Sequence, residues 1–335
     1  MPIRALSTLL ISLMLLPTFA VANSCQAQLH LLETLLFQQP DNQTLLQEYQ
    51  TLQATNCQAP KSQALQSTQA LEFSLGYHSN ANQQTRHNSI DFIFDEQVYN
   101  FTIAEKPQPS WFHALSINGQ QPLDNQSGFQ YWLQGTHFQE QSIQDTYEFG
   151  VTYYHQPYAH TLLETSLWQQ YLNQLHSRWI SLSAKHALNQ NTQLQLNTAI
   201  RRHPSRSEFD ANTYGMSWIH HNDQQALWLQ YQSETPLDQN YLGGGSRQYT
   251  LGLNQNNLTM IYKRQQDQQQ YSQLFGSTKR QIDSFLLSYD IELSQKNRQN
   301  TINLLWDYSI SNIKLFERTT YKLQWQYFWE KKSQM

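Results

Sequence analysis

Between Thr301 and Trp329 the chain alternates. Ile302, Leu304, Trp306 and Tyr308 are interleaved with Asn303, Leu305 and Asp307. Tyr321, Leu323, Trp325, Tyr327 and Trp329 are interleaved with Lys322, Gln324, Gln326 and Phe328. A period of two sends successive side chains to opposite faces of a strand. Each segment therefore has one apolar, aromatic face and one mainly polar face. The apolar face has to be covered, either by a second sheet in a soluble core or by lipid.

The start of the chain bears on that choice. Arg4, the apolar run Leu9–Leu16, Pro17 and the small-residue site Ala20-Val21-Ala22 have the pattern of a secretory signal peptide over residues 1–22. Export puts Cys25 and Cys57 in an oxidising compartment, where a disulfide between them is expected. A net charge of -4 and a charged fraction of 14% give neither a nucleic-acid footprint nor an acidic disordered chain. No later run approaches the ~20 apolar residues of a membrane helix. Aromatics make up 13% of a chain whose mean hydropathy is -0.67. Tyr and Trp among many Gln and Asn suit strands with one greasy and one wet face, with aromatics at membrane interfaces. A secreted β-sandwich shares that composition.

Residues 23–60 read as a helical hairpin. Leu29, Leu31, Leu32, Leu35 and Leu36 recur at helical spacing, as do Leu45, Leu46, Tyr49 and Leu52, with a turn at Pro40-Asp41-Asn42. Cys25 and Cys57 can staple its open ends, making a small periplasmic cap. A polar linker over 61–69 leads to residues 70–330.

There the spacing predicts about fourteen strands: Ala70–Tyr77, Ser110–Ile117, Gly128–Gly135, Thr146–Tyr154, His160–Gln169, Arg178–Ala187, Thr192–Arg201, Thr213–His221, Gln225–Gln232, Arg247–Asn254, Leu258–Arg264, Ile282–Ile291, Thr301–Tyr308 and Thr320–Trp329. Alternate connections are short, as at His155–Tyr158, Asn189–Asn191, His221–Asp223 and Gln255–Asn257. The others are longer, as at Tyr171–Ser177, Arg202–Asn212, Ser233–Ser246 and Gln265–Gln281. Transmembrane barrels sort their connections this way, into short periplasmic turns and longer external loops. A sandwich has no reason to do so. Pro157, Pro204 and Pro236 all read as loop residues. Asn80–Pro109 is long enough for a hairpin, an inward plug or a large external loop. A tail, 331–335, follows.

The fold class expected is an all-β transmembrane barrel of about fourteen antiparallel strands behind a short α-helical hairpin. It belongs in the outer membrane, with the hairpin in the periplasm. The polar side chains expected inside are Glu72, Glu148, Glu164, Lys185, Lys263, Asp290, Asp307 and Lys322. Their mixed signs favour ion pairs over a selective ring. Arg201, Arg202 and Arg206, with His203, form a basic cluster expected on an external loop, where anionic lipopolysaccharide is one partner. Trp325, Tyr327, Phe328 and Trp329 supply the terminal aromatic signal read by a barrel assembly machinery.

Two stretches resemble a known family. Leu75-Gly76-Tyr77-His78-Ser79-Asn80-Ala81-Asn82 is similar to the barrel entry of the surface lipoprotein assembly modifiers. Ser311-Asn312-Ile313-Lys314-Leu315-Phe316-Glu317-Arg318 and the aromatic strand after it resemble that family's last loop and closing strand. The resemblance, over roughly 70–329, implies a fourteen-stranded outer-membrane barrel behind periplasmic tetratricopeptide repeats. It also implies help to a client, a surface lipoprotein or haem-binding protein, in reaching the cell surface. Here only the 25–57 hairpin stands where the repeats would be. The alternative function is a passive channel, or an export pore for polysaccharide or small solutes.

No catalytic constellation stands out, so an enzyme is not expected, nor a cofactor or metal. His78-Ser79-Asn80 has residue types of a nucleophile site, but neighbours on a strand point apart, so a loop turn is the reading. His203, His220 and His221 lack ligand spacing. Gly243-Gly244-Gly245 lacks the Lys-Ser/Thr of a phosphate loop and reads as a flexible tip.

Overall fold

In a computed structural model of the protein, the described residues are 67–94, 97–172, 175–222, 224–238, 242–272, 275, 278–293 and 299–333. The hairpin expected over 23–60 and its Cys25–Cys57 pair lie outside them. The strands are β1 (Ser67–His78), β2 (Ser89–Phe94), β3 (Gln97–Thr102), β4 (Ser110–Pro122), β5 (Ser127–Phe138), β6 (Thr146–Tyr158), β7 (Thr161–Leu172) and β8 (Leu175–Asn189). They continue with β9 (Thr192–Arg202), β10 (Ala211–His221), β11 (Gln225–Pro236), β12 (Ser246–Gln255), β13 (Leu258–Asp267), β14 (Gln281–Glu292), β15 (Gln299–Ser311) and β16 (Arg318–Ser333).

Fourteen of these close a barrel in chain order, β1 and then β4 to β16, each antiparallel to its neighbours. The first strand pairs with the last, from Ser67↔Ser333 to His78↔Lys322. Closure leaves no edge strand, which is what lets a sheet cross a membrane with every backbone group satisfied. β2 and β3 form a separate two-stranded hairpin in the β1–β4 connection, so Asn80–Pro109 holds a hairpin.

Register carries the apolar set continuously around the outside. Leu323 stands opposite Leu304, Leu304 opposite Tyr289, and Leu287 opposite Met260. These side chains are exposed, Leu304 at 43% and Leu323 at 45%. A soluble protein does not present so wide an apolar face. In lipid, each such leucine stabilises the inserted state by ~1.5–3 kcal/mol. The rings concentrate towards the ends: β6 runs Tyr147, Phe149, Val151, Tyr153, and β16 runs Tyr321, Leu323, Trp325, Tyr327. That is the aromatic girdle of a membrane barrel.

The connections at the end where β1 finishes are 79–109, 139–145, 173–174, 203–210, 237–245, 268–280 and 312–317. Those at the opposite end are 123–126, 159–160, 190–191, 222–224, 256–257 and 293–298. The longer set marks the external side.

Several boundaries differ from expectation. Tyr171–Ser177 is not a long loop, because β7 and β8 continue to Leu172 and from Leu175. Outward of the lipid, Tyr171 and His176 stack at 4.3 Å, which extends the ladder where alternation has faded. Pro157 lies inside β6, at a register shift between His155 and Tyr158 that absorbs its missing N–H. β1 starts in the expected linker, and β16 runs through Glu330 into the expected tail, to Ser333. The triple glycine is no loose tip. Gly243, Gly244 and Gly245 take φ of 76°, 61° and 86°, and the Gln268 and Gln269 amides donate to the carbonyls of Gly245 and Gly243.

Candidate functional site: the barrel lumen

The face opposite the belt points inward and is mostly hydrogen-bonded. Lys185 Nζ donates to Glu164 Oε1 at 2.7 Å, and Ser183 Oγ to Glu164 Oε2 at 3.3 Å. Both charged side chains are nearly buried, so removing either would leave the other without its counter-charge. Glu148 accepts from Trp132 Nε1 at 3.1 Å and Gln170 Nε2 at 3.3 Å. Glu72 accepts from Ser74 Oγ at 3.2 Å and Gln326 Nε2 at 3.0 Å. Asn303 Nδ2 donates to Asp290 at 2.6 Å, and Arg318 lies 3.9 Å from Asp307. Lys263 is exposed. Lys322 Nζ sits 4.9 Å over the Phe112 ring. A cavity of about 390 Å³ opens beside it, lined by Glu72, Ser74, His78, Gln134, Gln324 and Gln326 among others.

The basic cluster divides. Arg201 and Arg202 are the last residues of β9, not loop residues. Arg201 is on the inward face, 3.1 Å from Glu234 and 5.2 Å over Trp179. Arg202 pairs with Asp210 at 2.8 Å. Arg206 is in the loop, paired with Glu208 and 4.8 Å over Phe209. The loop thus answers Arg202 and Arg206 with its own carboxylates, and β11 answers Arg201. Burial pushes the imidazole of His203 down from its ordinary range, with Arg201 adding to the effect. Of the terminal aromatics, Trp325, Tyr327 and Trp329 share the outward register, whereas Phe328 falls on the inward one, opposite Glu72. Among the described residues no three His, Cys, Asp or Glu side chains gather as a metal site.

The inward face also holds large rings. Phe112, Trp132, Tyr154 and Trp228 lie across glycines of neighbouring strands, where a Cβ at Gly76, Gly150, Gly128 or Gly252 would run into the ring. These aromatics therefore lean along the wall. One row is continuous: Trp132 is opposite Gly150, Gly150 opposite Trp168, Trp168 opposite Trp179, and Trp179 opposite Arg201. Trp168 and Trp179 stack at 5.2 Å and 5°. The next inward row on one side is Gln134, Glu148, Gln170 and Ser177; on the other it is Gln130, Thr152, Ser166 and Ser181. Alternation alone did not mark these rings, because each has an outward apolar neighbour, as in Tyr131-Trp132-Leu133 and Leu227-Trp228-Leu229. The available signal was the apolar pair or triplet breaking the period, together with a glycine on the adjoining strand.

At the external rim the β1–β4 segment is fastened to the 312–317 loop. Thr85 Oγ1 donates to the Lys314 carbonyl at 2.7 Å, and the Arg86 amide to that of Glu317 at 3.0 Å. The Glu317 carboxylate takes Arg86 at 2.7 Å and His87 at 2.6 Å. Arg86 reaches on to the hydroxyl of Tyr308 at 2.9 Å, on the outward side of β15. Lys314 meets Asp91 of the hairpin at 3.0 Å. Burial works to raise the Glu317 carboxyl, but His87, Arg86 and the Ser311 amide outweigh it and hold it below the ordinary carboxylate range. His78, Ser79 and Asn80 act as turn residues: the Asn80 amide donates to His78 Nδ1, the Tyr321 amide to Ser79 Oγ, and the Asn80 side chain bonds both ways with Gln84.

A closed antiparallel barrel with a lipid-facing belt, girdles of rings and a polar interior is an outer-membrane β-barrel. No family model and no curated protein matches the chain. Solved structures similar to it include Pseudomonas aeruginosa OccD3 (OpdP), at 10% identity and TM-score 0.43, covering 81% of this chain and 94% of that one. A BenF-like porin from Pseudomonas fluorescens Pf-5 matches at 9% identity and TM-score 0.41, over 79% and 99%. The KdgM porin matches at 8% identity and TM-score 0.37, over 77% and 98%.

Proposed function

We infer that the barrel is a passive channel for small polar solutes. One observation carries this reading: among the described residues, the long Asn80–Pro109 segment is tied to the rim. Its latch on Glu317 and Tyr308 draws it over β15 and β16, and β3 is exposed along its whole length. A plug would be packed against the wall and buried. A hydrogen-bonded, mixed-charge interior with its rings leaning along the wall supports a path for polar solutes. The test is single-channel recording of the purified barrel in planar bilayers. Steady stepwise openings are expected; a silent barrel overturns the reading.

The second reading is assistance to a surface-bound client protein, from the resemblance carried by Leu75–Asn82 and Ser311–Arg318. It is favoured by the meeting of these stretches at the β1–β16 seam, where Thr85, Arg86 and His87, just past the first, hold Glu317 of the second. Ring closure by itself also brings them together, so we rank this reading second. Deletion of the gene with no change in any surface-exposed protein would end it.

A further inference from the structure

We propose that the inward row running from Trp132 to Arg201 is a binding platform for carbohydrate rings. This rests on the channel reading for the route of the solute, though not for binding itself. A polar barrel interior gives no reason to place three tryptophans side by side, each of them only half-buried. Packing explains the ring over Gly150 but not the row.

The geometry is that of a corner. Trp132 lies across Gly150 as a floor, its Nε1 fixed by Glu148. Trp168 and Trp179 stand as a parallel stack beside it, with the Arg201 guanidinium against Trp179. Trp168 is the member of the stack opposite Gly150, next to the ring that covers that glycine. Sugar rings have an apolar C–H face and an equatorial rim of hydroxyls. This row has the complement: indole faces between one border of Gln134, Glu148 and Gln170 and another of Gln130 and Ser166. A flat aromatic solute would use the rings alone and make no use of the polar borders. A quaternary cation would compete with Arg201, already seated on the stack.

The test is tryptophan fluorescence of the folded barrel in detergent, titrated with maltohexaose and, separately, chitohexaose. A polyethylene glycol of matched size and benzoate serve as controls. Saturable quenching or a blue shift by at least one sugar, absent with both controls, is expected. Trp132→Ala or Trp168→Ala should weaken it by about three- to tenfold, the scale of one aromatic stack. Trp132→Phe, which keeps a ring and guards against misfolding, should retain most of the binding. No saturable response to either sugar, an equal response to benzoate, or an Ala variant that folds and binds unchanged overturns the platform. Conductance is read separately: quenching by sugar on a silent barrel would refute the channel and leave the platform standing.

Discussion

The two faces of the barrel wall share strands, register and period, yet treat the same residue types in opposite ways. Outside, leucines fill the middle, and Tyr and Trp sit towards the ends where lipid meets water. Inside, rings cluster in a row and against glycines, while charges come with partners. Amino-acid type therefore does not fix a residue's role in this fold; parity along the strand does. A tryptophan at position 325 faces lipid, and one at 132 faces the lumen.

The largest effect expected from probing this contrast is inside. Glu164→Gln leaves Lys185 as a nearly buried cation without its carboxylate, at a cost of ~3–5 kcal/mol. Urea unfolding of the barrel in lipid vesicles measures it. The double change Glu164→Gln with Lys185→Met should recover much of the loss. Outside, the rule inverts, because an added charge is what hurts. Leu323→Arg, in the middle of the belt, should cost ~2–4 kcal/mol in the same assay. Leu305→Arg, one face away on the adjacent strand, should cost far less. Equal costs at the two positions would break the assignment of faces.

A smaller effect comes from crowding the inner wall. Gly150→Val sets a side chain against Trp132 and Trp168 and should destabilise by ~1–3 kcal/mol. Its sharper signature is a shifted tryptophan emission, which Gly135→Val on the outward face should not give.

The smallest effect is in the rim latch. The Glu317 carboxyl is held below its unfolded value, so its contribution is fully present above that unfolded value and is lost as pH falls through the lower folded one. Protection factors over 85–105, corrected for the intrinsic exchange rate at each pH, should show an acid step, falling below about pH 4. Glu317→Gln should exchange faster than the parent above that step and lose the step itself.

The contrast of faces also explains what could be read from the chain. All fourteen barrel strands were legible because lipid demands an unbroken apolar period and the short turns between them are rich in Asn and Gln, although Pro236, expected in a loop, ends β11. Legibility ended where lipid ends. Above the belt β7, β8, β9, β11 and β13 continue in polar residues, so Tyr171–Ser177 reads as a loop and Arg202 falls outside the expected strand. The polar lumen set, Glu72 to Lys322, follows from parity alone. The inner rings do not, since Trp168 beside Leu167 looks like one more lipid contact. Only the pairing with Gly150 across two strands separates them, and pairing is a property of the closed sheet.

The seam where β1 meets β16 joins residues as far apart in sequence as Glu72 and Gln326, 254 positions. Until the final strand is delivered, the initial one has an open hydrogen-bonding edge, and so does each strand newly laid beside it. The whole cylinder is therefore committed late, by the costliest loop the chain contains. A nascent chain cut short before Arg318 would offer two sticky margins to its neighbours, and would precipitate or be destroyed sooner than open a narrower pore.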